Sequence, residues 1–518
     1  MKLLPLYTVS FYNIRVMKKI NSETSNRIFL GLFLLLSATA ILFLATKSSP
    51  FYAYNDWCDA NSYFSVGKAM FNGKIPYKDV FDQKGPLLYF LYGLAYKVSN
   101  TTFMGVFLLE VLLAWASLIG FYKILNLYLR STVSLAVSPV VLACVFSSYS
   151  FYMGGAAEEI CFPCYVWGLY LILKYIKSRP YGRQDLDQLV IKGGVLAGIV
   201  GTVKFTGLGF FFAWIAFIFF KNLKKKSVNL SFEAVFWFVM GMLVPFAPWV
   251  VYFGMKHELG SWYWGYIYIN VFSYSNFKAE GPSLPERIKE LIKILYYLIQ
   301  QDFIYFIWII PGLIFSVIQK GIKLWSRLCV ILLFGFLFVG IYIGGSTLPY
   351  YSLPLASFAV LGGVVVGFLL EIITGKSTKF KALLIAVSLV ASGCIVYFCS
   401  MNIKDHEIKK EDHYLTKFAK IIEDSDIEDP TLLNINCLDA GLYTVADIVP
   451  SVLWFQTQTI NSDEPYKAQD GYIRDGVTDF VIAWDYYPDF ITDRYELVGE
   501  EPWDAEGYSG KYYLFRKR

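Results

Sequence analysis

Apolar residues in this chain gather in long unbroken runs, without the period-two or period-3.6 stripes that mark half-buried strands and helices. Eleven runs stand out, at 28–46, 103–125, 132–151, 157–175, 188–203, 207–220, 232–254, 301–318, 328–344, 352–371 and 381–399. Most approach the ~20 residues that an α-helix needs to cross a hydrocarbon core. The pattern predicts a polytopic α-helical membrane protein of about 11 transmembrane helices, the fifth and sixth of them short and nearly contiguous. Two long segments rich in polar and aromatic residues interrupt the runs, at 47–102 and 255–300. Past Met401 the pattern changes: "DHEIKKEDHYLTKFAKIIEDSDIED" is polar and helical, and the short runs "TLLNIN", "DFVIAW" and "KYYLFRKR" are rich in β-formers. Strands alternating with helical stretches predict a small α/β domain over 401–518.

Basic residues orient the runs. Lys2, Arg15, Lys18, Lys19 and Arg27 precede the first, and alternation puts "KYIKSRPYGR", "KNLKKK", "QKGIKLWSR" and "GKSTKFK" on that same side. The excess of Lys and Arg on cytoplasmic loops then predicts a cell-membrane, multi-pass protein. Residues 1–27 form a cytoplasmic N-terminal segment, 28–400 a membrane domain with outer loops 47–102 and 255–300, and 401–518 an extracytoplasmic domain. The first run lies far from the N-terminus and lacks a small-residue cleavage site, so it reads as an anchor.

Composition agrees: 56% of the 518 residues are hydrophobic and 17% are charged, against ~25% charged in soluble domains. A net charge of +5 gives no sign of nucleic acid. "CFPC" (161–164) lies inside an apolar run with no βαβ pattern around it, so it reads as packing and not as a redox pair. The three histidines are scattered, and no Walker A or Rossmann glycine pattern supports a cytoplasmic nucleotide-sugar donor.

The charges that remain are concentrated in "NDWCDANSYFSVGKAMFNGKIPYKDVFDQKGPLLYF" (55–90), which holds four aspartates and four lysines. "DANSYFSVGKAMFNG" places Tyr63, Phe64, Met70 and Phe71 among polar residues, which suits a helix lying in the membrane interface. Gly73 and Pro76 turn the chain, and Pro86 opens a second helix whose N-terminus would favour an anion beside Lys84. The hairpin folds Asp59 toward Lys84. Asp79 and Asp82 read as caps or partners of Lys78 and Lys84.

The chain resembles the GT-C superfamily of integral membrane glycosyltransferases, in particular glycosyltransferase family 39, which includes protein O-mannosyltransferases and aminoarabinose transferases. The resemblance rests on Asp59 in "DWCDANSYF", on "GKIPYKDVFDQKGPLLY", and on "GGAAEEICFPCYVWGLYLILKY" (154–175). Gln83 stands where bacterial relatives commonly carry histidine. The resemblance implies transfer of a sugar from a polyprenyl-phosphate donor to a hydroxyl acceptor on a cell-surface glycan, lipid or protein, at the outer face.

Such a donor brings its own leaving group, so the chemistry needs one base and cations for the phosphate. Asp59 is the candidate base and Asp56 its competitor. Lys84 and Lys204, the latter in "GTVKFTG", are candidate phosphate ligands. Asp82, Glu158, Glu159, Tyr350 and Tyr351 are candidate supporting or acceptor residues. The sequence requires no cofactor; Glu158 and Glu159 are the candidate ligands should a divalent cation bind. Besides donor and acceptor, the expected partners are membrane lipids. The rival reading is a lipid or glycan transporter or flippase, which would place its charges in broken helices near mid-membrane.

Overall fold

The computed structural model describes residues 6–178, 182–273, 283–375, 378–505 and 508–518. It is a multi-pass helical membrane protein with a small sheet near its C-terminal end. The helices are α1 (Leu6–Ala45), α2 (Cys58–Phe71), α3 (Pro86–Val98), α4 (Met104–Leu125), α5 (Ser131–Phe146), α6 (Ala157–Lys177), α7 (Arg183–Val203), α8 (Leu208–Lys224), α9 (Val228–Met255) and the single turn α10 (Leu259–Trp262). A π-helix at Tyr263–Ser273 follows, then α11 (Leu284–Gln301), α12 (Phe303–Ile318), α13 (Leu324–Tyr342), a 3₁₀ segment at Pro349–Phe358, α14 (Val360–Thr374) and α15 (Thr378–Cys399).

Each of the eleven apolar runs falls on a described helix. Eight helices are long and apolar enough to cross a membrane unaided. The run at 352–371 spans the 3₁₀ segment and α14, which meet at 44°, and α5 is a shorter apolar helix. The run at 301–318 is α12, and α11 meets it at 115°, so α11 belongs to the preceding long segment and does not extend the span. The two short runs, 188–203 and 207–220, are α7 and α8, separated by an extended residue, Lys204, and a turn of 3₁₀ helix.

After α16 (Tyr414–Glu423) comes β1 (Leu432–Ile435), then α17 (Leu442–Val445), α18 (Glu464–Asp475), β2 (Phe480–Trp484), β3 (Tyr495–Ala505) and β4 (Tyr508–Lys517). The strand order is β1-β2-β4-β3, with β1 and β2 parallel through the α17–α18 crossover and the remaining pairs antiparallel. This α/β unit packs on α2. Ser62 Oγ donates to Gln456 at 2.7 Å and Ser65 Oγ to Asp439 at 2.5 Å. Lys68, with no solvent exposure, donates to Asp447 and to the Tyr443 carbonyl, both at 2.9 Å. Loop 47–102 and the sheet therefore share one side of the helix body. The interfacial-helix expectation for α2 is corrected by the structure: residues 60–69 are buried between the body and the sheet unit, because α17 and the loops around it cover the face that looked polar and exposed.

Candidate active site

Two backbone contacts seat the charged hairpin. Gly85 lies so close to α7 that a Cβ on it would fall 2.1 Å from the Thr202 carbonyl oxygen; its N–H donates to Val203 O at 2.9 Å. Only glycine permits that approach. Because 85 is fixed to 203, the lysines on either side of this contact, Lys84 and Lys204, are brought to one place. Gly154 and Gly155, both at φ +87°, make the turn that leads into α6 and puts Glu158 and Glu159 in its first turn.

Asp59 sits in the first turn of α2. Its Oδ2 accepts from Tyr350 at 2.6 Å and from Tyr63 at 3.0 Å, and Oδ1 has no protein partner among the described residues. Each tyrosine ring carries an ammonium: Lys84 Nζ is 5.5 Å from the Tyr63 centroid, and Lys204 Nζ is 5.6 Å from that of Tyr350. Lys204 also sits 3.5 Å over the Tyr351 ring and pairs with Glu158 at 2.5 Å. The carboxylate is thus flanked by two cations held off by aromatic faces, a spacing that leaves Asp59 unquenched by a direct ion pair.

Lys84, Lys204, Gln83 and Tyr351 line a cavity of about 570 Å³ whose further wall is largely apolar, built from Val203, Phe205, Phe272 and the end of α13. Two buried acceptors here, Gln83 Oε1 and Glu158 Oε2, lack hydrogen-bond partners among the described residues. Asp82 accepts from Tyr89 Oη at 2.8 Å. Burial pushes its carboxyl above the usual range and nearby Asp59 adds to the rise, while Lys84 opposes it. A second cavity of about 1010 Å³, almost wholly apolar and walled by residues such as Phe90, Leu113 and Trp249, opens on the far side of α3.

The candidates do not all converge. Asp59, Asp82, Lys84, Glu158, Lys204, Tyr350 and Tyr351 do. Asp56 does not: its Oδ1 is held by Lys47 at 2.7 Å and its Oδ2 by the Trp503 indole N–H at 3.2 Å. Burial opposes its ionisation, but Lys47 outweighs that and keeps the carboxyl below its usual range. Glu159 turns from Glu158 to the Ala156 N–H at 2.9 Å and to Glu110 of α4. The pair proposed as metal ligands is therefore split, and no group of three His, Cys, Asp or Glu among the described residues could hold a metal ion. Cys161 and Cys164 are buried free thiols in α6. Asp79 caps the turn at Ile75 N–H, 2.7 Å away, and Lys78 pairs with Glu258.

Sequence reasoning missed Tyr63 as a partner of Asp59, having read it as an interfacial aromatic. It also missed Asp302, fully buried between α11 and α12, which accepts from Ser352 Oγ (2.7 Å), Ser150 N (2.9 Å) and Tyr305 Oη (3.0 Å) and so fixes the segment bearing Tyr350. An acidic residue at the start of an apolar run was the available signal.

No protein-family model matches this chain, and no curated protein matches it by sequence. Its structure is similar to that of ArnT from Cupriavidus metallidurans bound to undecaprenyl phosphate, with a TM-score of 0.60 and 11% identity, covering 95% of this chain and 98% of the other. The apo state of the same protein gives a TM-score of 0.62 at 12% identity with the same coverage. The chain has the GT-C fold.

Proposed function

We propose that this protein is an inverting glycosyltransferase, moving a sugar from a polyprenyl-phosphate donor to a hydroxyl acceptor at the outer face of the membrane, with the C-terminal α/β unit on that face. One observation carries the reading. A carboxylate with an open oxygen stands between two lysines that line a cavity with an apolar wall. A lipid phosphate needs that combination: an apolar trough for its chain and paired cations for its head. The ArnT structure of the same fold holds undecaprenyl phosphate, which supports the same class of donor here.

In this reading the donor phosphate lies against Lys84 and Lys204. Asp59 Oδ1 accepts the acceptor hydroxyl proton as that oxygen attacks the anomeric carbon from the face opposite the phosphate. The bond from the anomeric carbon to the phosphate oxygen breaks, and the electron pair leaves with the phosphate, where two ammoniums offset the developing charge. Tyr63 and Tyr350 hold Asp59 Oδ2 so that Oδ1 stays aimed, and Glu158 holds Lys204. Gln83 Oε1 is placed to accept from a hydroxyl of the donor sugar. One displacement with one base inverts the anomeric centre. No step uses a divalent cation.

The test is transfer of a radiolabelled sugar from a polyprenyl-phosphate donor by the purified protein into an extract of the producing cell's envelope. Product of inverted configuration, formed equally with and without chelator, is the expected result. No transfer from any donor, together with movement of labelled lipid across proteoliposomes, would replace this reading with the transporter.

A further inference from the structure

A third cavity, of about 740 Å³, lies between the β3–β4 hairpin and the outer end of the helix body. It is within the size range of small-ligand clefts and has a different chemistry from the two apolar-walled ones. Three aromatic residues line it, Tyr149, Tyr152 and Trp503, together with three carboxylates (Asp56, Asp405, Asp504) and two ammoniums (Lys47, Lys404). Charges of both signs nearly cancel, so the cavity offers no field to a polyanion. Aliphatic lining is sparse, so it offers little to an acyl chain.

One wall connects it to the catalytic cluster. The Tyr152 ring is 5.4 Å from Trp57 and 6.4 Å from Tyr350, and Trp57 is 4.9 Å from Tyr350, whose hydroxyl binds Asp59. Tyr152 holds φ +56° and ψ −128°, a backbone state that bulky residues avoid and that persists only where the surroundings impose it. They do: Asn402 Nδ2 donates to its carbonyl at 2.8 Å, and Lys47 N–H donates to the Met153 carbonyl at 2.9 Å. The lysine-lined donor cavity lies on the Tyr351 side of Tyr350 and this one on the Tyr152 side.

We propose that this cavity is the acceptor site, and that the acceptor is an uncharged saccharide. This rests on the transferase reading and narrows its acceptor from glycan, lipid or protein to glycan. Aromatic faces stack against the C–H faces of sugar rings. Lys47, Asp56 and Asp405 are paired with one another, so Asp504 would accept hydrogen bonds from sugar hydroxyls and Lys404 would donate to ring and hydroxyl oxygens. The Trp57, Tyr152 and Tyr350 rings form the wall between this cavity and Asp59, on the side of Tyr350 opposite the lysine-lined cavity.

The test uses the full chain in nanodiscs and four probes: neutral and acidic glycan pools released from the producing cell's surface, a total lipid extract, and a Ser/Thr-rich peptide. Saturation-transfer NMR reads binding without donor, and labelled-donor turnover reads transfer. The neutral pool should give the binding signal and the product. Tyr149→Ala and Asp504→Ala should each raise the acceptor KM at least fivefold while moving the donor KM less than twofold, a split that general misfolding would not produce. Binding or product with the acidic pool, lipid or peptide in place of the neutral pool overturns the proposal, as does an unchanged acceptor KM in both variants. In those cases turnover itself persists and the transferase reading stands. Binding of the neutral pool with no turnover from any donor sinks the transferase reading, and the acceptor role with it.

Discussion

Asp56 and Asp59 are three residues apart, just before and just inside α2, and their surroundings are opposite. Both oxygens of Asp56 are engaged, by Lys47 and Trp503, and Lys47 is itself shared with Asp405 at 2.8 Å. Asp59 has two phenols on one oxygen and, among the described residues, nothing on the other. Glu158 and Glu159 are divided too, but the other way round: Glu158 beside the site pairs with Lys204, and Glu159 turns to the Ala156 N–H and Glu110. Neighbouring carboxylates in one motif have been divided between holding the structure and facing the site, and what divides Asp56 from Asp59 is whether a cation touches them directly. An ion pair stabilises a carboxylate and makes it a poor base; hydroxyls position it and leave it basic.

The largest expected effect falls on the open carboxylate. Asp59→Asn keeps both phenol contacts and removes the proton acceptor, so transfer should fall by about 10²–10⁴-fold with an unchanged melting temperature. Labelled-sugar turnover beside thermal unfolding measures both, and near-normal turnover would erase the distinction. Lys84→Ala should come next. Loss of a charge-assisted partner worth ~1.5–3 kcal/mol implies a donor KM raised by roughly ten- to 150-fold, read from turnover under limiting donor. Lys84→Arg should rescue it poorly, since a planar fork does not reproduce a compact ammonium.

For the committed carboxylate the sign is reversed. Asp56→Asn should lower stability by about 1–3 kcal/mol in denaturant titration while transfer falls less than tenfold. A fourth effect concerns pH alone and His413, whose ring lies 4.1 Å from that of Trp503, tilted against it, beside Asp56. Burial pushes its pKa down to about 4, Asp56 opposes the shift and Lys47 reinforces it. A group with a depressed folded pKa is protonated first in the unfolded chain. Its contribution is therefore present above pH 6.5 and lost as pH falls toward 4, on the order of 3 kcal/mol across that window. His413→Gln should flatten the dependence of the melting temperature on pH between those limits. An unaltered slope would show that acid sensitivity in this region comes from the Lys47 pairs.

What the residues revealed directly followed from local rules. Run length located the spans, a change of period located the sheet unit, and charges beside apolar runs drew attention to Asp59, Lys84, Glu158 and Lys204. What they concealed depends on distant partners. The faces of α2 looked exposed because Asp439, Tyr443, Asp447 and Gln456, which cover them, come more than 370 positions later. Asp59 stood ahead of Asp56 through the family resemblance; the partners that set Asp56 apart, Lys47 and Trp503, lie outside the motif. Periodicity shows which face is apolar, and a buried polar face leaves no such trace.

That distance also sets an order of events. Lys68 has no exposed surface; its own hairpin gives its ammonium the Phe64 and Tyr96 rings, but both its hydrogen-bond acceptors among the described residues lie beyond residue 440. Burying an ammonium without them is strongly unfavourable, so α2 cannot settle against the body until the sheet unit has folded. Contacts this remote close slowly. During synthesis the helix carrying Asp59 therefore waits, unlocked, and a unit made more than 370 positions later decides when it settles.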